Sequence, residues 1–155
     1  MEQYIQPFIK VCESVFRNLC GTEVRAGDLF FLTRENQMNW DISGIIGLSG
    51  QISGAISISM RDNAAFQLTK TLTGADHNSF DADVTDAIGE IINIIAGNTK
   101  KVFEGSFRTA ISLPSIVQGR GHRIIWPSKN IKIFCIPFSI FADGELLLSF
   151  AVDES

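Results

Sequence analysis

Apolar residues near the start of the chain recur at intervals of three and four positions, which predicts an amphipathic helix over Gln3–Leu19. Pro7 falls in the first turns of this segment, where the missing N–H matters least. Gly21 follows it as a helix-ending residue. The predicted inward positions are Tyr4, Ile5, Phe8, Ile9, Cys12, Val15, Phe16 and Leu19. One side of the helix is therefore expected to face a core.

The pattern then changes to short apolar runs and to alternation with a period of two, which is typical of strands. The predicted strands are Asp28–Arg34, Trp40–Leu48 and Gln51–Met60, and Ser49-Gly50 is a turn signal between the last two. Isoleucines alternate with serines in the last segment. This alternation favours an antiparallel sheet with one packed face and one face in water.

Two helices are predicted after these strands. Asp62 is expected to cap the first, which ends before Gly74, and the second and longest runs from Val84 to Glu104, before Gly105. The apolar stripe of the long helix comprises Val84, Ile88, Ile91, Ile92, Ile95, Thr99, Val102 and Phe103. The opposite side of the long helix is polar.

A second β-rich half follows the long helix. Strands are predicted near Phe107–Leu113, at Ile131–Phe141 and at Glu145–Val152, with a glycine-rich turn at 119–121 and a hairpin at Asp143-Gly144. Each half of the chain thus offers a long helix followed by antiparallel strands. The order predicts a single α+β domain over 1–155, built as a degenerate tandem repeat with its helices packed on a sheet.

Composition narrows the possible functions. The chain has 155 residues, 45% of them hydrophobic, and its 13 Lys and Arg against 17 Asp and Glu give a net charge of −4. This balance does not predict a nucleic-acid-binding surface, and no uninterrupted apolar stretch approaches the length needed to span a membrane. The start of the sequence does not resemble a signal peptide, and Cys12, Cys20 and Cys135 lack metal-site spacing. We therefore expect reduced thiols and a cytoplasmic location.

The polar side of the long helix holds the main candidate site. Glu90 and Asn93 are three positions apart, so their Cβ atoms are expected about 5–6 Å apart on one face. An ordinary solvated helix face would also have such residues. Against that interpretation, Gly97 lies mid-helix, where glycine costs about 1 kcal/mol relative to alanine, and Ile94 is predicted to be exposed among polar neighbours. These features favour a docking surface.

Two histidines are weaker candidates. His77 lies among acidic residues, but the spacing fits no defined metal site and favours a mobile polar loop. His122, in the segment 119–123, could belong to a phosphate-binding loop, but a basic surface turn is the preferred interpretation because no strand-to-helix context is present. No metal site is predicted.

The string Asp86-Ala87-Ile88-Gly89-Glu90-Ile91-Ile92-Asn93-Ile94-Ile95-Ala96-Gly97 resembles the E-x-x-N signature of the CheC/CheX/FliY phosphatases of bacterial chemotaxis. The later string Ser112-Leu113-Pro114-Ser115-Ile116-Val117 is similar to the CheX branch. CheC-like members have two such motifs. At the corresponding positions, the first helix of this chain has only Gln3 and Gln6, or Gln6 and Ile9, and neither pair matches E-x-x-N. The chain therefore has a single motif, on the long helix, as in CheX-type members.

The resemblance implies hydrolysis of the aspartyl phosphate on a CheY-like response regulator. Asn93 would position the attacking water, and Glu90 would pair with the regulator's active-site lysine. Asp86, Ile94 and Gly97 would contribute to docking, although Asp86 can also be read as a charge near the helix N-terminus. No cofactor of its own is implied, because Mg²⁺ belongs to the phosphorylated receiver.

The sequence is also compatible with two other functions, and it predicts an assembly. The chain could be a non-catalytic CheC/CheX-fold module that binds a receiver or a flagellar component, or a purely structural dimerisation domain. A homodimer is predicted because the closing hairpin, Ile131–Phe141 with Glu145–Val152, has two apolar faces and a mostly uncharged edge. The E-x-x-N pair favours the phosphatase.

Overall fold

The computed structural model describes residues 2–126 and 130–153, without the side chain of Glu2. A short 3₁₀ turn at Glu2–Tyr4 precedes the first helix. The helices are α1 (Ile5–Cys20), α2 (Asp62–Thr73) and α3 (Ala82–Phe103). The strands are β1 (Val24–Ala26), β2 (Phe30–Phe31), β3 (Trp40–Gly50), β4 (Gly54–Met60), β5 (Thr109–Ile111), β6 (Ser115–His122), β7 (Ile131–Ile140) and β8 (Gly144–Asp153). In the described part of the chain, no helix has the length and hydropathy needed to cross a membrane.

The strands form one antiparallel sheet in the order β1-β7-β8-β4-β3-β5, in which β2 also pairs with β7 and β6 also pairs with β3. This order is nearly symmetric about the central β4–β8 pair. The β3–β4 hairpin of the first half corresponds to the β7–β8 hairpin of the second half. In the same way, β1 and β2, which pair with β7, correspond to β5 and β6, which pair with β3. The predicted α+β class and the degenerate tandem repeat are confirmed by this arrangement.

The three helices pack on one face of the sheet and bury the main core. Gly21 caps the end of α1, and its φ of 63° is the left-handed conformation that glycine adopts without strain. Phe103, at the end of α3, packs edge-on against Tyr4 and Phe150, with ring centroids 5.1 and 5.7 Å apart. The predicted inward stripe of α3 is buried, except that Val102 is half-buried.

The centre of the other face of the sheet is buried too, so the expectation of a face in water is wrong there. Ser57 and Ser59 of β4 are 1% and 3% exposed. The segments after β2 and after β6 cover this face with side chains that include Met38 and Trp126. Serine is small enough to be covered, and its hydroxyl finds a partner, as Ser59 does 2.7 Å from Ser43.

Long-range strand pairing overrides several local predictions. The segment 28–34 contributes only the two residues of β2, and the preceding strand β1 was not predicted. The glycine-rich segment 119–121, predicted as a turn, continues β6, which pairs with β3 up to Trp40 and His122 across a register shift. Asp62 is the first residue of α2 and not its cap, because Arg61 has the extended cap conformation.

The closing hairpin is not an edge of the sheet. β8 pairs with β7 on one side and β4 on the other. The outer side of β7 is covered by β1 and β2, which pair with it at residues 138–140 and 134–135. The edge invoked for a homodimer is therefore already occupied by the chain's own strands, and this argument is wrong.

Candidate functional site

The position of α3 is determined at its start and along its buried stripe. The carboxylate of Asp81 accepts a hydrogen bond from the Val84 N–H at 3.0 Å and so caps the helix. A Cβ placed on Gly44 of β3 would lie 3.0 Å from the Cγ2 of Ile92, so the helix rests very close to the sheet. This close packing leaves the opposite, polar side of α3 facing outward.

His77 adds a second attachment at the start of α3. Its Nδ1 lies 3.1 Å from the other carboxylate oxygen of Asp81, and its Nε2 lies 3.1 Å from the hydroxyl of Thr73 at the end of α2. The side chain is only 5% exposed, a packed position that the prediction of a mobile polar loop did not anticipate. The hydrogen bonds from His77 and from the Val84 N–H lower the pKa of Asp81.

Among the described residues, the group that most resembles a metal site includes His77 and Asp81. His77, Asp81 and Asp83 offer ligand atoms that all lie within 4.8 Å of one another. Both carboxylate oxygens of Asp81 are already engaged, one with the helix N-terminus and one with the imidazole. Helix capping and connection of α2 to α3 therefore account for the cluster.

The candidate residues of α3 lie together on its outward side. Asp86, Glu90 and Asn93 are exposed, and Gly97 is half-buried with open space where a Cβ would point. Neither Glu90 nor Asn93 forms a hydrogen bond or an ion pair with another described residue. A carboxylate and a carboxamide are thus presented to a partner from one rigid helix, one turn apart.

Ile94 is placed differently from the prediction. It is half-buried and packs against the main core. α1 packs alongside α3, and Asn98, one turn after Ile94 on the same flank, borders the groove between the two helices. The helical periodicity identified the sheet-facing stripe but could not indicate that a second helix covers this flank.

The end of α1 approaches the site as well. Burial raises the pKa of the Cys20 thiol, and the negative charge of Glu90 contributes in the same direction. On the other flank, the Cδ1 of Ile116 in β6 lies 3.8 Å from the position that a Cβ on Gly89 would take. The turn of α3 that contains Gly89 and Glu90 therefore lies near both the end of α1 and β6.

His122 and its neighbours have structural contacts, which corrects the prediction of a basic surface turn. The Nε2 of His122 lies 2.7 Å from the hydroxyl of Ser43, and its Nδ1 lies 2.7 Å from the carbonyl of Gly119. Arg120 donates to Asp62 at 2.7 Å and thereby lowers the pKa of that carboxyl. These contacts attach the end of β6 to the sheet and to α2.

Comparisons with known proteins show similarity to chemotaxis phosphatases. A family model described as chemotaxis phosphatase CheX matches residues 42–139, a range that contains all of α3. CheY-P phosphatase CheX of Thermotoga maritima is 27% identical over 111 residues, which cover 70% of this chain and 69% of that protein.

Two solved structures extend the similarity to almost the whole chain. The chemotaxis protein CheX from Vibrio vulnificus has a TM-score of 0.87 and 26% identity, covering 97% of this chain and 99% of that one. The CheX–CheY–BeF3–Mg²⁺ complex from Borrelia burgdorferi has a TM-score of 0.81 and 25% identity, covering 97% and 98%. The similarity thus includes the helices, the sheet and the candidate site.

Proposed function

Because the chain belongs to the chemotaxis phosphatase CheX family, we propose that it hydrolyses the aspartyl phosphate of a CheY-like receiver domain. The observation that carries the proposal is the exposed pair Glu90 and Asn93, whose polar groups have no partner among the described residues. The pair lies on a helix whose buried side and N-terminus are both held in place. The backbone positions of the pair are thus fixed before binding, so docking needs no rearrangement of the helix and costs only the ordering of the two side chains.

The reaction is an in-line displacement at phosphorus by water. A bond forms between the water oxygen and phosphorus, and the bond between phosphorus and the aspartyl oxygen breaks. The products are inorganic phosphate and the free carboxylate of the receiver, and the proton of the water passes to phosphate or solvent. In such reactions catalysis consists mainly of positioning and charge stabilisation.

Asn93 is proposed to position the water. Its carboxamide has an acceptor oxygen and two donor hydrogens, so it can accept a hydrogen bond from the water while it donates to a phosphoryl oxygen. A glutamine has the same role in GTPases. Because Asn93 cannot titrate, its contribution is independent of pH.

Glu90 is proposed to set the register of docking. A carboxylate one helical turn from Asn93 can form a charge-assisted hydrogen bond with the active-site lysine of the receiver. Asp86 and the open space above Gly97 extend the same surface on either side of the pair. Ile94 has no docking role in this proposal, because it packs against the core.

No metal of the chain's own is required by this proposal, because Mg²⁺ in the receiver would stabilise the charge on the phosphoryl group. A cytoplasmic location is proposed as well, since the three cysteines are free and buried, as expected in a reducing compartment.

The test is release of inorganic phosphate from a phosphorylated CheY-like receiver, measured in single turnover with and without the purified chain. Faster release in the presence of Mg²⁺, with no metal added to the chain beforehand, is the expected result. Binding without faster release would instead support the non-catalytic module.

A further inference from the structure

The segment that joins β5 to β6 exposes a leucine that the proposed chemistry does not use. The side chain of Leu113 is 87% exposed. A single exposed apolar side chain is ordinary on a protein surface, so exposure alone assigns it no role. Its fixed backbone and its position beside α3 are the informative features.

Hydrogen bonds on both sides of Ser112 hold the segment in place. The Ser112 N–H donates to the carbonyl of Gly47 at 3.0 Å. The Ser112 hydroxyl accepts from the Gly47 N–H at 2.8 Å and donates to the carbonyl of Leu113 at 2.9 Å. Pro114 further restricts the backbone of the residue before it. Leu113 is therefore presented by a rigid connection anchored to β3 at Gly47.

The connection runs beside the middle of α3. The helix packs against β5 as well as β6. At the β6 end, Ile116 approaches the helix at Gly89, directly before Glu90. β5 follows the end of α3 in the chain and pairs with the last residues of β3. The residues between these two strands thus lie alongside the turns of α3 that contain Glu90 and Asn93.

We propose that Leu113 is a docking residue for the phosphorylated CheY-like receiver, and this inference rests on the function proposed above. A standard protein interface covers about 800 Å² on each partner, which corresponds to a disc with a radius of about 16 Å. An interface centred on Glu90 and Asn93 must therefore extend onto neighbouring surface. The β5–β6 connection is continuous with that centre, and a receiver seated on the pair covers Leu113.

Leu113 is expected to contribute to binding and not to the chemical step, because it has no polar group to act on water or phosphate. Leu113→Ala should raise the KM for the phosphorylated receiver about 10-fold and leave kcat at saturation unchanged. Leu113→Asp should weaken binding further, since a charge would have to be desolvated at the interface.

The matched control is Ile125→Ala. Ile125 is 73% exposed and lies beyond the far end of β6, away from the connection. The experiment measures two quantities for wild type and all three variants. One is the Kd for a CheY-like receiver loaded with Mg²⁺ and beryllofluoride, and the other is phosphate release from the phosphorylated receiver. Melting curves verify that each variant is folded.

Weaker binding by both Leu113 variants, with Ile125→Ala like wild type, is the expected result. If wild type accelerates phosphate release and the Leu113 variants bind and hydrolyse normally, the docking role is overturned and the phosphatase proposal stands. If wild type binds in a Leu113-dependent way without accelerating release, the phosphatase proposal fails and the docking surface remains. A wild type that neither binds nor hydrolyses overturns both.

Discussion

At the scale of residues, the site consists of two common polar side chains that are held on a fixed helix. Glu90 and Asn93 are exposed on a helix that is capped by Asp81 and buried against the sheet along its other side. Because the fold has already fixed this geometry, each side chain can be changed without disturbing the core. Effects on activity and on stability can therefore be separated.

Asn93→Ala is expected to reduce the stimulated release of phosphate about 100-fold, because the water loses the group that orients it. The free energy of unfolding should change by no more than about 0.5 kcal/mol, since the position is exposed. Asn98→Ala, a variant on another side of the same helix, is the control and should retain activity. Wild-type turnover by Asn93→Ala in a single-turnover assay would contradict the assigned role.

Glu90→Gln keeps the size of the side chain and removes its charge. Loss of one partner of a desolvated charge pair costs about 2–5 kcal/mol, so affinity for the phosphorylated receiver should fall at least about 30-fold. Glu104, the exposed acid that follows α3, provides the control Glu104→Gln. Titration calorimetry with the beryllofluoride-loaded receiver measures the difference, and equal affinities for both variants would leave Glu90 as a surface acid.

At the scale of elements, the start of α3 connects the proposed chemistry to α2. His77 bridges Thr73 and Asp81, and Asp81 in turn caps the helix. The pKa of Asp81 is lowered in the folded protein, so its stabilising contribution is present above the ordinary carboxyl range and is lost as the pH falls through the lowered pKa.

Asp81→Ala should therefore lower the melting temperature by a few degrees at neutral pH. The difference from wild type should close as the pH falls below the ordinary aspartate pKa of about 3.9, where the unfolded carboxyl becomes protonated. Asp83→Ala, an acid in the same turn that does not cap the helix, is the control. A difference in melting temperature that persisted undiminished at pH 2 would show that the Asp81 charge is not the cause.

At the scale of the whole molecule, the two halves of the chain share one sheet. The hairpins β3–β4 and β7–β8 meet at the centre, and each half supplies short strands that cover the outer hairpin strand of the other half. β6 pairs along one side only, with β3, as far as the described residues extend. An outer strand edge therefore remains there, although the closing hairpin has none.

A homodimer stays a prediction on this basis. Sedimentation equilibrium at micromolar concentration should report about twice 17.1 kDa. Val117→Lys, which places a charge at an exposed position of β6, should shift the equilibrium toward monomer if that edge pairs. Retention of the proposed activity by a monomeric variant is expected, because α3 must remain accessible to the receiver. A monomeric wild type would contradict the dimer alone.

The sequence by itself determined the helices, the main hairpins and the position of the candidate pair. These features depend on local periodicity and on residues close together in the chain: the buried stripe of α3 also specifies which side faces outward, and Glu90 and Asn93 are only three positions apart. The E-x-x-N signature could be recognised for the same reason. A site carried by one helix requires no knowledge of the strand order.

Only the tertiary structure decided what surrounds that pair. Packing against the core half-buries Ile94, pairing with β3 makes a strand of the segment 119–121, and contacts with the end of α2 and the start of α3 bury His77. β1 and β2 occupy the edge of the closing hairpin, and the β5–β6 connection presents Leu113 beside the site. Each of these features depends on contact with another segment of the chain, which the local pattern of hydrophobic residues does not specify. A period of two or of 3.6 residues identifies one buried side of an element, but the packing of the whole chain decides whether the other side is covered as well and which element covers it.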